Sequence, residues 1–324
     1  MWFTELPTPV YDDVPIVVGE RHTTWSLAEI AALAEMNVVR DAIVSNLGFV
    51  SSPLPNMLTY ASSPPFVAAA ARSGCVAVVV PPLLASLVPE NLGLIVSENP
   101  ADAFRRIHLV LADCTEFYGD DLESRIHPQA RVHHTATIGE RNVRIAADVV
   151  VGAGAVITGR VRIEAGAIIS PGAVIGASGF QTIRVDGRPI EFVHVGGIVI
   201  GEKAVVFSNA TVARGLFRQD TVLGVDCRVG NNAFISHNVQ LGPRSVVGHG
   251  AQVNGNVQVA SDVWIGPGAT ISNNLTIGQG ARVDLGATVI GNVAPKSHVG
   301  GAPAIDHRAV LREVAAWRRR ARHR

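Results

Sequence analysis

Residues 223–289 read LGVDCRVGNNAFISHNVQLGPRSVVGHGAQVNGNVQVASDVWIGPGATISNNLTIGQGARVDLGATV, and every sixth residue from Leu223 to Val289 is Leu, Ile or Val. A period of six matches neither the 3.6 residues of a helical turn nor the two-residue alternation of a strand. It is typical of a parallel β-helix built from hexapeptide repeats, in which each repeat is a short strand and a turn. One aliphatic side chain per repeat then faces a central axis, and three repeats make one triangular coil.

The same spacing continues on the N-terminal side of this segment, at Ile145, Val151, Ile157, Ile163, Ile169 and Ile175. Residues 177–197 and 213–221 interrupt it. Insertions in a solenoid project as loops, often on the binding side, and both of these contain the Gly, Arg and aromatic residues of a candidate substrate wall. We therefore predict a mostly β chain, with a left-handed parallel β-helix over residues 123–300.

The two ends of the chain lack this period. Residues 27–36 form an amphipathic helical pattern, and Cys75–Val80 is typical of a buried strand. Alternation of such segments predicts a small α/β domain over residues 1–122. At the other end, residues 301–324 contain a turn followed by an arginine-rich helix over residues 307–322.

The composition excludes several classes of protein. The chain has 324 residues, with 27 Lys and Arg against 27 Asp and Glu, and this neutral balance argues against nucleic-acid binding. Cys75, Cys114 and Cys227 are widely spaced, which predicts unpaired thiols and no metal or disulfide motif. Because we find no signal-peptide pattern and no apolar run of transmembrane length, we expect a cytoplasmic protein.

Four segments carry a resemblance to known proteins: LTYASSPPF at 58–66, ASGF at 177–180, ARG at 213–215 and NNAFISHNV at 231–239. With these segments the chain resembles the UDP-3-O-acylglucosamine N-acyltransferase family of lipid A synthesis over nearly its full length. The resemblance implies a hexapeptide-repeat acyltransferase that assembles as a homotrimer, with active sites in clefts between subunits. It also implies that the N-terminal domain grips the uridine of a sugar nucleotide.

The resemblance assigns roles to single residues. It implies that Tyr60 and Phe66 enclose the uracil, while Ser63 stands where the family has an asparagine that contacts it. Further substrate contacts are implied for Phe180, Arg214, Asn231 and Asn238, although Asn231 equally fits an asparagine ladder at a corner of the solenoid. The family uses a basic C-terminal helix to meet acyl carrier protein, which implies docking by Arg312, Arg318, Arg319 and Arg320.

Acyl transfer from a thioester to an amine requires a base, because only the neutral amine attacks, and the pKa of histidine lies near the working pH. His237 is the candidate base. It lies two residues after Ile235 and outside the axis, so we expect its side chain to face a cleft or water. Gly255 lies one coil later. In the family a glycine at this offset holds the oxyanion with its N–H, but Gly255 also fits an ordinary turn.

The expected donor is a phosphopantetheine-linked thioester, on acyl carrier protein or on CoA, and no permanently bound cofactor is implied. We also expect no metal. No histidine follows His237 or His249 at the five-residue spacing of the zinc ligands in γ-class carbonic anhydrases, which share this solenoid.

The chain departs from the family at Ala213 and Gly230, where aspartates are expected, and at Asn274, where a second histidine is expected. Three hypotheses therefore remain. The leading one is an N-acyltransferase that moves a fatty acyl or hydroxyacyl group from acyl carrier protein to the amine of a UDP-linked amino sugar. The others are a sugar-nucleotide acetyltransferase that uses acetyl-CoA, and a non-catalytic β-helix that serves as a binding or scaffold protein.

Overall fold

The structure is a computed structural model, and it describes residues 24–52, 54–113, 115–119, 121–185, 187–301 and 307–321. Within this part of the chain, the strands from Arg125 to Val299 form three long parallel sheets. Strands that pair within a sheet are one coil apart in sequence, so the sheets are the faces of a left-handed parallel β-helix. The predicted fold is confirmed.

The chain visits the three faces in turn. The first face contains Arg125–Ile126, Val143–Ile145, Arg160–Ile163, Gly197–Ile200, Thr221–Leu223, Gln240–Leu241, Gln258–Val259 and Thr276–Ile277. The second face contains Arg131–Val132, Val150–Val151, Ile168–Ile169, Val205–Val206, Arg228–Val229, Val246–Val247, Trp264–Ile265, Arg282–Val283 and His298–Val299. The third face contains Thr137–Ile138, Val156–Ile157, Val174–Ala177, Thr211–Ala213, Phe234–Ile235, Gln252–Val253, Thr270–Ile271 and Thr288–Val289.

The aliphatic side chains that repeat every six residues fill the axis of the β-helix. Val253 pairs with Ile235 on one side and with Ile271 on the other, so side chains one coil apart stack directly. The whole series from Leu223 to Val289 is buried. Because the stack removes apolar surface from water at every repeat, very short strands suffice to hold each coil.

The turns between strands hold the backbone in the left-handed region. Asn232, Asn238 and Asn256 have φ values of 56°, 61° and 60°. The position one coil after Asn232 is Gly250, with a φ of 64°. Asn and Gly adopt this conformation with less strain than other residues, which explains why they recur between the aliphatic positions.

A separate five-stranded sheet, which we call the N-terminal sheet, precedes the β-helix. Its strand order is Val38–Arg40, Gly93–Val96, Cys75–Val80, Met57–Tyr60 and Asn46–Leu47. The first pair is antiparallel and the others are parallel. A separate antiparallel pair joins Trp25–Ser26 to Ile43–Val44. The helices of this region are Leu27–Leu33, Pro64–Arg72, Pro100–Asp113, Thr115–Tyr118 and a 3₁₀ helix at Pro82–Leu87.

The first helix is shorter than the sequence predicts. It begins with a capping box, because the Ser26 hydroxyl accepts the N–H of Glu29 while the Glu29 carboxylate accepts the N–H of Ser26. It ends at Leu33 rather than at Met36. Glu35 adopts a left-handed φ of 55°, which a continuing helix does not allow.

Both insertions of the β-helix pack against the N-terminal sheet and its helices. The first insertion, residues 177–197, contains an antiparallel hairpin of Thr182–Val185 and Arg188–Glu191. Phe192 of this insertion and Phe217 of the second insertion, residues 213–221, contact Phe104, with ring centroids 6.4 and 5.7 Å away. The insertions therefore share one hydrophobic core with the N-terminal sheet.

A buried histidine ties the first insertion to the helix Pro100–Asp113. His108 Nε2 lies 2.6 Å from the Val193 carbonyl, and Nδ1 lies 2.7 Å from the Tyr118 hydroxyl. A carbonyl only accepts, so Nε2–H donates to Val193 and Nδ1 accepts from Tyr118. Burial lowers the pKa of His108 to about 4, so its ring is neutral at neutral pH.

At the C-terminal end a helix spans His307–Ala321. Among the described helices, none combines the length and the apolar composition that crossing a membrane requires. Cys75 and Cys227 are buried and unpaired. Cys114 and residues 1–23, 302–306 and 322–324 of the predicted segments lie outside the described residues.

Two neighbouring isoleucines test the stacking in the axis. Ile169 is 0% exposed and points inward, whereas Ile168 is 39% exposed on the second face. We expect Ile169→Ala to lower the free energy of unfolding by about 2–5 kcal/mol, because it leaves a cavity in the stack. The matched variant Ile168→Ala is expected to cost less than half as much. Chemical denaturation measures both, and equal losses would contradict the inward and outward assignment.

Candidate active site

His237 lies at the corner where the third face turns into the first. It follows the strand Phe234–Ile235, and Ile235 pairs with Val253 above and with Val212 below. The same register places Gly255 one coil above His237 and Arg214 one coil below it. We call this column of three residues the His237 corner.

Asn238 fixes the orientation and the tautomer of the His237 ring. Its Oδ1 accepts the N–H of Leu216 at 3.1 Å, and its Nδ2 donates to the Gln219 carbonyl at 2.8 Å, so the amide has one possible orientation. His237 Nδ1 lies 2.9 Å from the same Oδ1 and must therefore donate to it. The other ring nitrogen, Nε2, is left with an unprotonated lone pair, as a general base requires.

His237 is more enclosed than the sequence predicts. We expected it to face a cleft or water, but it is only 4% exposed in this chain. The first insertion covers it, because Gly179 and His194 lie against its ring. Burial lowers the pKa of His237 below the usual value of 6.5, while the bond to Asn238 partly opposes this shift. The ring is therefore neutral and ready to accept a proton near neutral pH.

Gly255 lies directly against the His237 ring. A methyl group at this position would stand 2.6 Å from His237 Nε2, so any larger residue would displace the imidazole. The Gly255 carbonyl accepts the N–H of Asn274 at 3.0 Å. Its own N–H donates to no other described residue and is available for a developing oxyanion.

His194 is a further histidine of the site, and our sequence analysis assigned it no role. It lies in the first insertion, is 1% exposed, and its ring centroid lies 5.4 Å from that of His237. Burial lowers its pKa to about 4, and the nearby His237 acts in the same direction. The chain has eleven histidines, and no spacing rule distinguishes one in an insertion that breaks the repeat.

Arg214 brings a cation to the His237 corner. Its Nη2 lies 3.4 Å from the Ser178 hydroxyl, and its Nε is buried without a hydrogen-bond partner among the described residues. Burial lowers the pKa of its guanidinium. Phe180, two residues after Ser178, is 81% exposed, so it is free to contact a ligand at the mouth of the site.

The residues that the resemblance assigns to the uridine lie at one end of the N-terminal sheet. Tyr60 ends the strand Met57–Tyr60, and its ring packs edge-on against Phe49 at 6.2 Å. Burial raises the pKa of its hydroxyl. Ser63 is the N-cap of the helix Pro64–Arg72, and Phe66 is exposed on that helix. The ring contacts of Tyr60 among the described residues are with Phe49 and Phe104.

Asn231 does not join His237 within one chain. It lies at the corner between the second and third faces, at the opposite end of the strand Phe234–Ile235. There its N–H donates to Nδ1 of His249, one coil above, at 3.0 Å. Its position therefore fits the alternative of a stacked corner residue.

The described residues contain no cluster of three or more His, Cys, Asp or Glu side chains that is able to hold a metal ion. Arg312, Arg318 and Arg319 are exposed on the C-terminal helix. Arg320 belongs to the same helix, but its side chain lies outside the described ones.

Comparisons with known proteins identify relatives of the chain. It is 42% identical over 86 residues to the UDP-3-O-acylglucosamine N-acyltransferase of Xanthomonas axonopodis pv. citri, which covers 26% of this chain and 25% of that protein. It is 27% identical over 259 residues to the enzyme of the same name from Coxiella burnetii, covering 70% of this chain and 73% of that protein. The chain thus spans a quarter of the first relative and about three quarters of the second.

The chain was also compared with family models and with solved structures. No family model matches the chain. The solved structure of LpxA from Acinetobacter baumannii is 22% identical to the chain with a TM-score of 0.41, over 56% of this chain and 70% of that one. The two relatives named above confirm that the chain resembles the UDP-3-O-acylglucosamine N-acyltransferase family, and with it the prediction that the chain is an acyltransferase.

Proposed function

We propose that the protein is an N-acyltransferase that moves a fatty acyl or hydroxyacyl group from acyl carrier protein to the amine of a UDP-linked amino sugar. One observation carries this proposal. His237 has its Nδ1–H held by Asn238, so its unprotonated Nε2 faces Gly255, a residue with a free N–H. A base beside an oxyanion donor is what acyl transfer from a thioester requires.

The reaction needs no further group. The amine nitrogen attacks the thioester carbon, and His237 Nε2 takes one proton from that nitrogen as the carbon–nitrogen bond forms. The N–H of Gly255 stabilises the oxyanion of the tetrahedral intermediate. When the carbon–sulfur bond breaks, the imidazolium returns the proton to the sulfur, which leaves as the thiol. The products are an amide and a phosphopantetheine thiol.

Substrate and partner assignments rest on the relatives and on the exposed surfaces. The relatives are named for a UDP-linked acylglucosamine, and we assign such a sugar nucleotide to Tyr60, Ser63 and Phe66 near the N-terminal sheet. Exposed arginines on the helix His307–Ala321 suit an acidic carrier protein. We further propose a homotrimer, as the resemblance implies, and a cytoplasmic location.

The central test offers the full-length protein two donors with a UDP-linked amino sugar: hydroxyacyl carrier protein and acetyl-CoA. We expect a long-chain amide from the carrier protein, detected by mass spectrometry, and a loss of about 10²–10⁴-fold in rate for His237→Ala. Acetyl product from CoA alone would replace this proposal with the acetyltransferase hypothesis. Sugar binding without turnover from either donor would favour the non-catalytic hypothesis.

The pH dependence of kcat/KM, which reports on the free enzyme, tests the environment of His237. The folded pKa of His237 lies below 6.5, so its base form persists as the pH falls, and the acid limb of the profile should lie below pH 6.5. Asn238→Asp keeps an oxygen for the Nδ1–H but adds a negative charge, which stabilises the imidazolium. We expect this variant to move the limb upward by about one pH unit or more. A native limb at or above 6.5 would contradict the enclosed geometry.

The carrier-protein assignment is tested by charge reversal. We expect the combined change of Arg312, Arg318 and Arg319 to Glu to raise KM for acyl carrier protein by about tenfold or more, because like charges then oppose docking. Acyl-phosphopantetheine, a small donor without the protein, serves as the control and should be used equally well by both forms. An unchanged KM for the carrier protein would show that these arginines of the helix do not take part in docking it.

A further inference from the structure

His194 carries a buried hydrogen-bond acceptor that no described residue satisfies. Its Nδ1 lies 3.2 Å from the Phe192 carbonyl, which only accepts, so Nδ1 carries the hydrogen. Its Nε2 is therefore a lone pair, and it is buried without a partner. An unpaired buried acceptor destabilises a fold, so its presence calls for a physical explanation.

The lone pair lies beside the proposed base. The rings of His194 and His237 meet edge to face with centroids 5.4 Å apart. A methyl group on Gly179 would stand 2.7 Å from Nε2 of His194 and 2.9 Å from Cδ2 of His237. In the His237 ring, Cδ2 is bonded to Nε2. The lone pair of His194 thus lies near the edge of the His237 ring that carries Nε2, and the residue that covers both rings there has no side chain.

We propose that His194 is a second substrate-contacting residue, whose Nε2 accepts one N–H of the acceptor amine while Nε2 of His237 accepts the other. This inference rests on the proposed function. It requires the segment around Gly179 to move outward when the acceptor binds, so that the amine takes the space between the rings. Phe180, next to Gly179, is 81% exposed, so its ring does not hold that segment against the rest of the described chain.

The arrangement keeps the atoms of the reaction balanced. The proton that His237 takes from the amine passes to the departing sulfur. The remaining N–H becomes the N–H of the product amide and keeps its hydrogen bond to His194. With both hydrogens engaged, the nitrogen lone pair points away from the imidazoles and toward the thioester carbon.

Two acceptors also select the nucleophile. A primary amine has two hydrogens for two lone pairs, whereas a hydroxyl has one and would leave one buried nitrogen unpaired. Sites that are built to hydrogen-bond a substrate group discriminate against analogues that lack it. His194 therefore determines specificity for an amine over a hydroxyl at the reacting position.

The kinetic test compares two substitutions of His194. His194→Leu removes the acceptor at similar volume, whereas His194→Gln retains one in its amide oxygen. With a UDP-linked amino sugar, we expect kcat/KM to fall by about tenfold in His194→Leu and by much less in His194→Gln. The preference for the amino sugar over the matched sugar that carries a hydroxyl should therefore fall by about tenfold in His194→Leu and by much less in His194→Gln. Thermal unfolding shows whether each variant is folded.

A second readout does not depend on turnover. The ¹⁵N NMR spectrum of histidine-labelled full-length protein, assigned with His194→Gln, reports the state of each ring nitrogen. We expect the Nε2 signal of His194 to shift on addition of the amino sugar and not of its hydroxyl counterpart. If the native protein transfers acyl groups but His194→Leu keeps both rate and amine preference, or if this signal stays unmoved, the inference about His194 is overturned while the proposed function stands. Absence of transfer by the native protein would instead overturn the proposed function, and the NMR shift would still decide the role of His194.

Discussion

The stacking of one aliphatic side chain per six residues in the axis is the constraint on which the rest of the β-helix depends. Because Ile235 must lie between Val212 and Val253, the residues two positions later are fixed as well. A shift of the register by one residue would place a turn residue in the axis and an aliphatic residue at the corner. The packing that stabilises the fold thus also places Arg214, His237 and Gly255 in one column.

A neutral imidazole at this corner depends on two further features. The first insertion removes water from the His237 ring, which disfavours the charged form, while Asn238 holds the tautomer. Asn238 is able to do this because it occupies a turn position with a φ of 61°, a conformation that asparagine tolerates. The same turn that closes the coil therefore directs the amide toward the second insertion and toward the base.

The β-helix and part of the site around His237 were predictable from the sequence, and the features that were not predictable have physical reasons. The period of six predicts the β-helix, and its multiple of three predicts that Gly255 stacks on His237. The same arithmetic separates Asn231 from His237 within one chain, because residues six apart lie at successive corners. The burial of His237 and the position of His194 were beyond such reasoning. Both depend on the insertions, which leave the repeat and take their conformation from distant contacts.

Those contacts come from the N-terminal sheet rather than from the β-helix. Phe192 and Val193 directly precede His194. Phe192 packs on Phe104, and the Val193 carbonyl accepts a hydrogen bond from His108. Phe104 and His108 lie one turn apart on the helix Pro100–Asp113. The β-helix positions His237 and Gly255, whereas the helix of the N-terminal region positions the imidazole of His194. The N-terminal region therefore positions a residue that lies against His237, and the aromatic core joins the two parts of the chain beside this corner.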